Sequence, residues 1–252
     1  MAAKIVSKAV DYEQGGARLE GYLVYDEART ALGKLPGVLV VPEWWGLNDY
    51  TKRRADQLAA LGYVAFAVDM YGKGVVTTDA KKATELSGPF YGSPLMAARA
   101  QAALDELLAT HLVDPARIAA IGYCFGGSTV QALAYTGAPL AGIVSFHGGL
   151  IPVPKDALAK TRAKILICQG GADPFVPKPD RDTFIAAMED GKFDYQFITY
   201  AGAVHAFTNP DADKMARLNG LEGKIGYNAP ADRRSWAAMQ SFFTEIFARP
   251  GS

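Results

Sequence analysis

Three side chains able to attack a carbonyl or move a proton lie far apart in the chain, each in a loop marked by glycine. Cys124 sits in Gly122-Tyr123-Cys124-Phe125-Gly126-Gly127, Asp173 in Gly170-Gly171-Ala172-Asp173-Pro174, and His205 in Gly202-Ala203-Val204-His205-Ala206-Phe207. A thiol, a carboxylate and an imidazole together suit nucleophilic catalysis, because the imidazole can take the thiol's proton while the carboxylate orients the imidazole. Each residue alone has a plainer reading: an inert cysteine in a tight turn, an Asp-Pro turn, a polar loop histidine. Their order, thiol then acid then histidine at spacings of 49 and 32 residues, is what gives them joint meaning.

That meaning depends on the elements around them. The run 117–121 before Cys124 reads as a short buried strand and the run after it as a helix, with Val130, Leu133 and Ala134 at helical spacing. Glycines two before and two after the thiol permit a strained strand-to-helix turn, a nucleophile elbow carrying sulfur in place of oxygen. A thiolate there is stabilised by the positive end of the helix dipole and its free amides. Asp173 follows a predicted strand over 164–168 and His205 one over 193–200. Strand-bound acid and histidine in this order are those of the α/β-hydrolase scaffold.

Along the rest of the chain, strands are predicted over 4–10 and 18–25 around a Gln14-Gly15-Gly16 turn, then over 38–41, 63–68 and 141–145. Helices are predicted over 48–61, closed by Gly62, from Ser93-Pro94 with Leu104, Leu107 and Leu108 on one face, and over 181–189. A closing helix carries Trp236, Met239, Phe243 and Ile246 inward, and 71–92 reads as a looser region. Strand and helix alternate, and the strands look buried on both faces. The fold class is therefore α/β: a mainly parallel sheet of about eight strands with helices on both faces, in which function collects at the strands' C-terminal ends. No repeat or linker divides the chain, so residues 1–252 are expected to form one domain.

Composition narrows the chemistry. The 252 residues are half apolar, and 26 basic residues balance 26 acidic ones. Without a basic cluster, nucleic acid and anionic membrane are not expected partners. The sequence starting at Met1 reads without a leader, and no run of eighteen apolar residues occurs, so a cytoplasmic location is expected. Two cysteines are too few for a disulfide scaffold, and Cys168, in Ile165-Leu166-Ile167-Cys168, reads as a packed strand residue. The oligomeric state is left open between monomer and weak dimer.

A fourth candidate is Glu43 in Pro42-Glu43-Trp44-Trp45-Gly46, a carboxylate beside two tryptophans after the first long buried strand. The amides of Trp44, in this loop, and of Phe125, after the thiol, are the two positions the scaffold offers to a tetrahedral oxygen. Taken together, the GYCFGG segment, the Glu43 loop, Gly171-Ala172-Asp173 and the 202–207 segment resemble the dienelactone hydrolase family, over nearly the whole chain. The resemblance implies an α/β-hydrolase fold, a Cys124-His205-Asp173 triad, and hydrolysis of a small-molecule lactone or ester with no cofactor and no metal. It also implies that Glu43 pairs with the resting thiol and helps ionise it when substrate arrives.

One departure bears on the substrate. Members specialised for dienelactone hold its carboxylate with arginines, one a few residues past the histidine, where this chain reads Ala206-Phe207-Thr208-Asn209. The other follows the Asp69-Met70-Tyr71 loop, yet no arginine occurs between Arg54 and Arg99. Trp45, Tyr71, Phe90 and Phe207 suggest an aromatic, apolar substrate pocket instead. His147, after the 141–145 strand, can line the cleft or serve the structure. A general carboxylesterase acting on neutral short-chain or aryl esters is the competing enzyme reading. A non-catalytic binding module is opposed by the intact triad, and a redox role by the lack of a C-x-x-C pair.

Overall fold

The computed structural model describes residues 3–248, so Met1 and Ala2, at the head of the segment read for a leader, lie outside it. In chain order the elements are β1 (Ile5–Gln14), β2 (Ala17–Asp26), α1 (Glu27–Thr30), β3 (Leu35–Val41), α2 (Asp49–Ala60) and β4 (Val64–Ala67). There follow α3 (Ala80–Ser87), a 3-10 turn (Gly88–Phe90), α4 (Leu95–Ala109), β5 (Val113–Tyr123), α5 (Phe125–Tyr135) and β6 (Gly142–Phe146). The chain continues through α6 (Ala157–Lys160), β7 (Lys164–Gly170), α7 (Lys178–Asp190), β8 (Tyr195–Tyr200), α8 (Ala212–Asn219) and α9 (Ala229–Ile246).

The strands form one eight-stranded sheet in the order β1-β2-β4-β3-β5-β6-β7-β8. β1 and β2 pair antiparallel around Gly15 and Gly16, both at positive φ, and β2 joins β4 antiparallel. From β4 to β8 every pairing is parallel. The central strands are buried on both faces, which their unbroken apolar runs anticipate. Leu39, Val41, Ala120, Ile143 and Ile165 pack in one core with Leu104, Val130 and Leu133 of α4 and α5. Val38, Val40, Ala119, Val144 and Leu166 alternate into a second core with Leu58 of α2 and Met239 and Phe243 of α9. Trp236 and Ile246 are partly buried against that second core, and Phe242, absent from the anticipated inward face, is buried in it too.

Four helices were not anticipated: the single turns α1 and α6, and the longer α3 and α8. Within the stretch expected to be loose, α3 starts where the Asp79 side chain accepts from the amides of Lys81 and Lys82. Its buried residues are only Ala83 and Ser87, so it carries no apolar stripe for periodicity to register. α8 likewise buries little more than Ala212, Met215 and Ala216, in a small cluster with Trp45, Ala83 and Ile225. α3 and α8 wall the region above the strand ends. No helix among the described residues is long and apolar enough to cross a membrane.

Because β3, β5, β6, β7 and β8 run parallel, their C-terminal ends share one edge of the sheet. The residues just past those ends include Glu43, Cys124, His147, Asp173 and His205.

Candidate active site

Cys124 joins β5 to α5 with φ 52° and ψ −115°, a conformation that a side-chain-bearing residue rarely holds. The strain falls on the thiol residue, and the glycines around it supply space. A Cβ on Gly122 would lie 2.0 Å from the carbonyl oxygen of Gly126, and one on Gly126 would lie 2.3 Å from that of Val41. Phe125 is the first residue of α5, so its N–H belongs to the helix's unpaired first turn. In the facing loop the Glu43 carbonyl accepts from the Gly46 amide at 3.3 Å. A trans peptide points its N–H opposite to its C=O, so the Trp44 amide faces away from Gly46. The Tyr71 hydroxyl donates to the Trp44 carbonyl at 3.0 Å, which fixes the next peptide of the same loop.

Asp173 and His205 meet although 32 residues separate them: His205 Nδ1 lies 2.8 Å from Asp173 Oδ2. The same carboxylate oxygen accepts from Gln169 Nε2 at 2.8 Å, and Oδ1 accepts from the Phe175 amide at 2.9 Å. With Nδ1 donating to Asp173, the other imidazole nitrogen is free for Cys124. Burial opposes a charge on His205, yet the charge of Cys124 and hydrogen bonds to Asp173 and Cys124 outweigh it and raise the imidazole well above its ordinary 6.5. The direction is that of an imidazole held among negatively charged partners.

His147 is fully buried behind this pair rather than in the cleft. The Cys124 amide donates to the Phe146 carbonyl at 3.0 Å and, by a longer second leg of 3.2 Å, to His147 Nδ1, while His147 Nε2 lies 2.7 Å from Thr208 Oγ1. Burial, followed by the charges of His205 and Arg54, holds His147 well below 6.5, hence neutral. Arg54 anchors the same loop: its Nη2 donates to the Thr208 carbonyl at 2.7 Å and to Asp232 at 2.5 Å.

Glu43 is buried, and its Oε2 accepts from Asn209 Nδ2 at 2.7 Å, whereas Oε1 has no hydrogen-bond partner. The carboxylate's hydrogen bond thus goes to Asn209, and not to the thiol as the family resemblance implied for the resting state. Burial pushes the carboxyl up from 4.5 to about 7, against the pull of Asn209, His205 and Arg54. Between those two values the folded chain keeps a proton that the unfolded chain releases. Stability therefore falls as pH rises from about 4.5 to about 7, by on the order of 3 kcal/mol in all. Glu43→Gln keeps the acceptor for Asn209 and removes this loss. Urea unfolding should show the variant more stable by about 2–3 kcal/mol at pH 8 and level with the parent at pH 4. An equal difference at both pH values would contradict a raised carboxyl.

Cys124, His205, Glu43, Trp44 and Trp45 open together on a cavity of about 350 Å³. Tyr91, Phe175, Leu221 and Ile225 complete much of its wall, and no lysine or arginine lines it. Three expected pocket residues are elsewhere. Phe207 is fully buried in the core, against His147 and Tyr200, and Phe90 is packed edge-on against Phe125. Tyr71 stands behind the Trp44 loop and does not line the cavity. An aromatic next to a loop motif can satisfy its burial in the core as well as in a cleft, and local sequence does not distinguish the two. Sequence reasoning missed Gln169, Asn209, Tyr91 and Phe175. Only Asn209 left a signal, since a carboxylate beside two tryptophans demands a donor.

Comparison with known proteins bears on the family and the fold. The model of the dienelactone hydrolase family matches residues 19–247. A dienelactone hydrolase-like promiscuous phosphotriesterase from metagenomic libraries superposes with a TM-score of 0.91 at 41% identity, covering 98% of this chain and 100% of its own. A putative carboxymethylenebutenolidase of Saccharolobus solfataricus is 27% identical over 96% of this chain and 99% of its own length. A probable 2-oxo-3-(5-oxofuran-2-ylidene)propanoate lactonase of Bradyrhizobium is 29% identical over 79% of this chain and 84% of its own. A putative dienelactone hydrolase of Klebsiella pneumoniae, 21% identical, shares the α/β-hydrolase fold with a TM-score of 0.77, over 96% of this chain and 99% of its own. Sheet order, elbow and a family match over most of the sequence lead to one assignment: this chain belongs to the dienelactone hydrolase family and is a carboxylic ester hydrolase of α/β-hydrolase fold.

Proposed function

We propose that Cys124 is the nucleophile of an esterase and lactonase that prefers neutral, activated substrates. The observation that carries this reading is the strained thiol set against His205 and Asp173 in an apolar cavity that no lysine or arginine lines. The thiolate attacks the acyl carbon, and the carbonyl oxygen takes up negative charge against the Trp44 and Phe125 amides. Each such donor is worth about 3–4 kcal/mol in the transition state. The imidazolium of His205 then gives its proton to the leaving oxygen, and a thioester remains on Cys124. His205, neutral and held by Asp173, next takes a proton from water. The resulting hydroxide equivalent adds to the thioester, and the acid departs as Cys124 leaves as thiolate.

A thiolate leaves a tetrahedral intermediate more readily than an amine does, so amides return to substrate while enol and aryl esters go forward. The missing arginines act on binding: a buried substrate carboxylate without a charged partner loses about 1.5–3 kcal/mol. Neutral aryl esters should therefore exceed a carboxylate-bearing dienelactone by at least about tenfold in kcat/KM. A neutral aryl phosphotriester meets the same requirements of charge and leaving group, and the 41% identical phosphotriesterase makes it a natural third substrate. The test is turnover of p-nitrophenyl acetate, the dienelactone and p-nitroacetanilide under one set of conditions. An anilide cleaved as fast as the ester would overturn the thioester route, and a dienelactone cleaved faster would overturn the preference for neutral substrates.

A further inference from the structure

Next to the cavity over Cys124, with Phe175 lining both, lies a second hollow of about 560 Å³. The two share Gly149, Phe175 and Val176, and the second is walled mainly by Leu150, Ile151, Val153, Phe184 and Ala187. Both of its sides are fastened to the catalytic machinery. On one side the fully buried Gln131 of α5 donates through Nε2 to the Gly149 carbonyl at 3.0 Å and accepts through Oε1 from the Ile151 amide at 3.0 Å. Ser128, from the same helix, donates to the Gly149 carbonyl at 2.9 Å. The segment 149–153 is thereby tied to the helix that begins just after Cys124. On the other side the Phe175 amide donates to Asp173 Oδ1, and the Phe175 ring stands edge-on to His205 with 5.2 Å between centroids.

We propose that the second hollow is the leaving-group subsite, and that the preferred substrates are neutral aryl esters whose phenol carries an apolar substituent. This rests on the reading of Cys124 as nucleophile and His205 as the acid for the leaving oxygen. The leaving oxygen must lie against the imidazole to receive its proton, so the group attached to it is directed towards Phe175, the residue that stands edge-on to His205 and lines both cavities. Half-buried apolar side chains without a partner across the hollow gain by covering an alkyl or aryl substituent. Asp180, exposed at the rim, disfavours an anionic one.

The test uses phenyl acetates bearing para-methyl, propyl and hexyl groups, whose phenols are of nearly equal acidity. The hexyl-to-methyl ratio of kcat/KM should be at least about tenfold in the parent protein, since each well-buried methylene contributes up to roughly a fourfold gain. Thr183→Trp and Ala187→Trp, two substitutions on α7 that fill the hollow, should each bring the ratio to within about twofold of one. Because the ratio is taken within one enzyme, partial loss of folded protein does not alter it. A flat series in the parent, or a ratio surviving both substitutions, overturns the subsite. A parallel acyl series from p-nitrophenyl acetate to hexanoate whose gain the tryptophans abolish would place the acyl chain there and overturn the leaving-group assignment. If no aryl acetate is cleaved by the parent protein, the nucleophile reading itself falls and the subsite with it.

Discussion

Cys124→Ala should lower kcat/KM for p-nitrophenyl acetate by about 10⁴-fold or more, leaving only what the oxyanion-stabilising amides and substrate binding provide. Cys124→Ser should also lose most activity, because a hydroxyl lacks the charge that raises His205 and must be deprotonated in step with attack. The same substitutions have a second readout independent of turnover. Burial opposes the imidazolium of His205, and the charge of Cys124 is the largest contribution that overcomes it. Removing that charge should lower the imidazole's titration, so that an NMR titration finds the protonated ring persisting to higher pH in the parent than in Cys124→Ala. If His205 titrates alike in both, the two side chains do not form an ion pair, whatever the kinetics report.

How much of this was legible in the sequence differs between framework and site. The parallel sheet could be read because its strands are apolar on both faces, as at 38–41 and 164–168, and because glycine punctuates their ends. α3 and α8 could not, since each buries only two or three mostly small residues and is held by tertiary contact with the Trp45 loop rather than by an apolar stripe of its own. Cys124, Asp173 and His205 were legible through one fact: each follows a recognisable strand, and parallel strands deliver their following loops to one edge.

The polar residues that hold those three in place left no local trace. Gln169 lies inside β7, and Gln131 inside α5, where sequence alone reads a neutral position on an element. Each acquires its meaning from a carbonyl or carboxylate brought close by another part of the chain. His147 illustrates the same limit: its ring accepts from the amide of Cys124, 23 residues away, and only the coordinates reveal that this strained residue is braced from beneath. The aromatic residues erred for a related reason. Phe207 and Phe90 are buried against partners that other parts of the chain bring to them, His147 and Tyr200 for the first and Phe125 for the second.

Asp173→Asn should be nearly as damaging as loss of the thiol while leaving the fold intact. In the parent, Oδ1 accepts from the Phe175 amide while Oδ2 accepts from both Gln169 and His205. An asparagine has one acceptor and must choose. If its oxygen serves His205 and Gln169, its NH₂ confronts the Phe175 N–H, donor against donor. If its oxygen stays on Phe175, its NH₂ faces Gln169 and His205, and Gln169 can meet it by turning its amide, because Gln169 Oε1 has no partner in the parent. The second arrangement satisfies every group except the imidazole, whose Nδ1 must then become the acceptor. That forces the proton onto Nε2, the nitrogen facing Cys124, which can no longer take the thiol's proton. The expected result is a fall in kcat of about 10³–10⁴-fold with an unfolding midpoint close to that of the parent. Activity within about tenfold of the parent would mean that the carboxylate neither sets the tautomer nor steadies the imidazolium, and the proposed division of roles between Asp173 and His205 would be wrong.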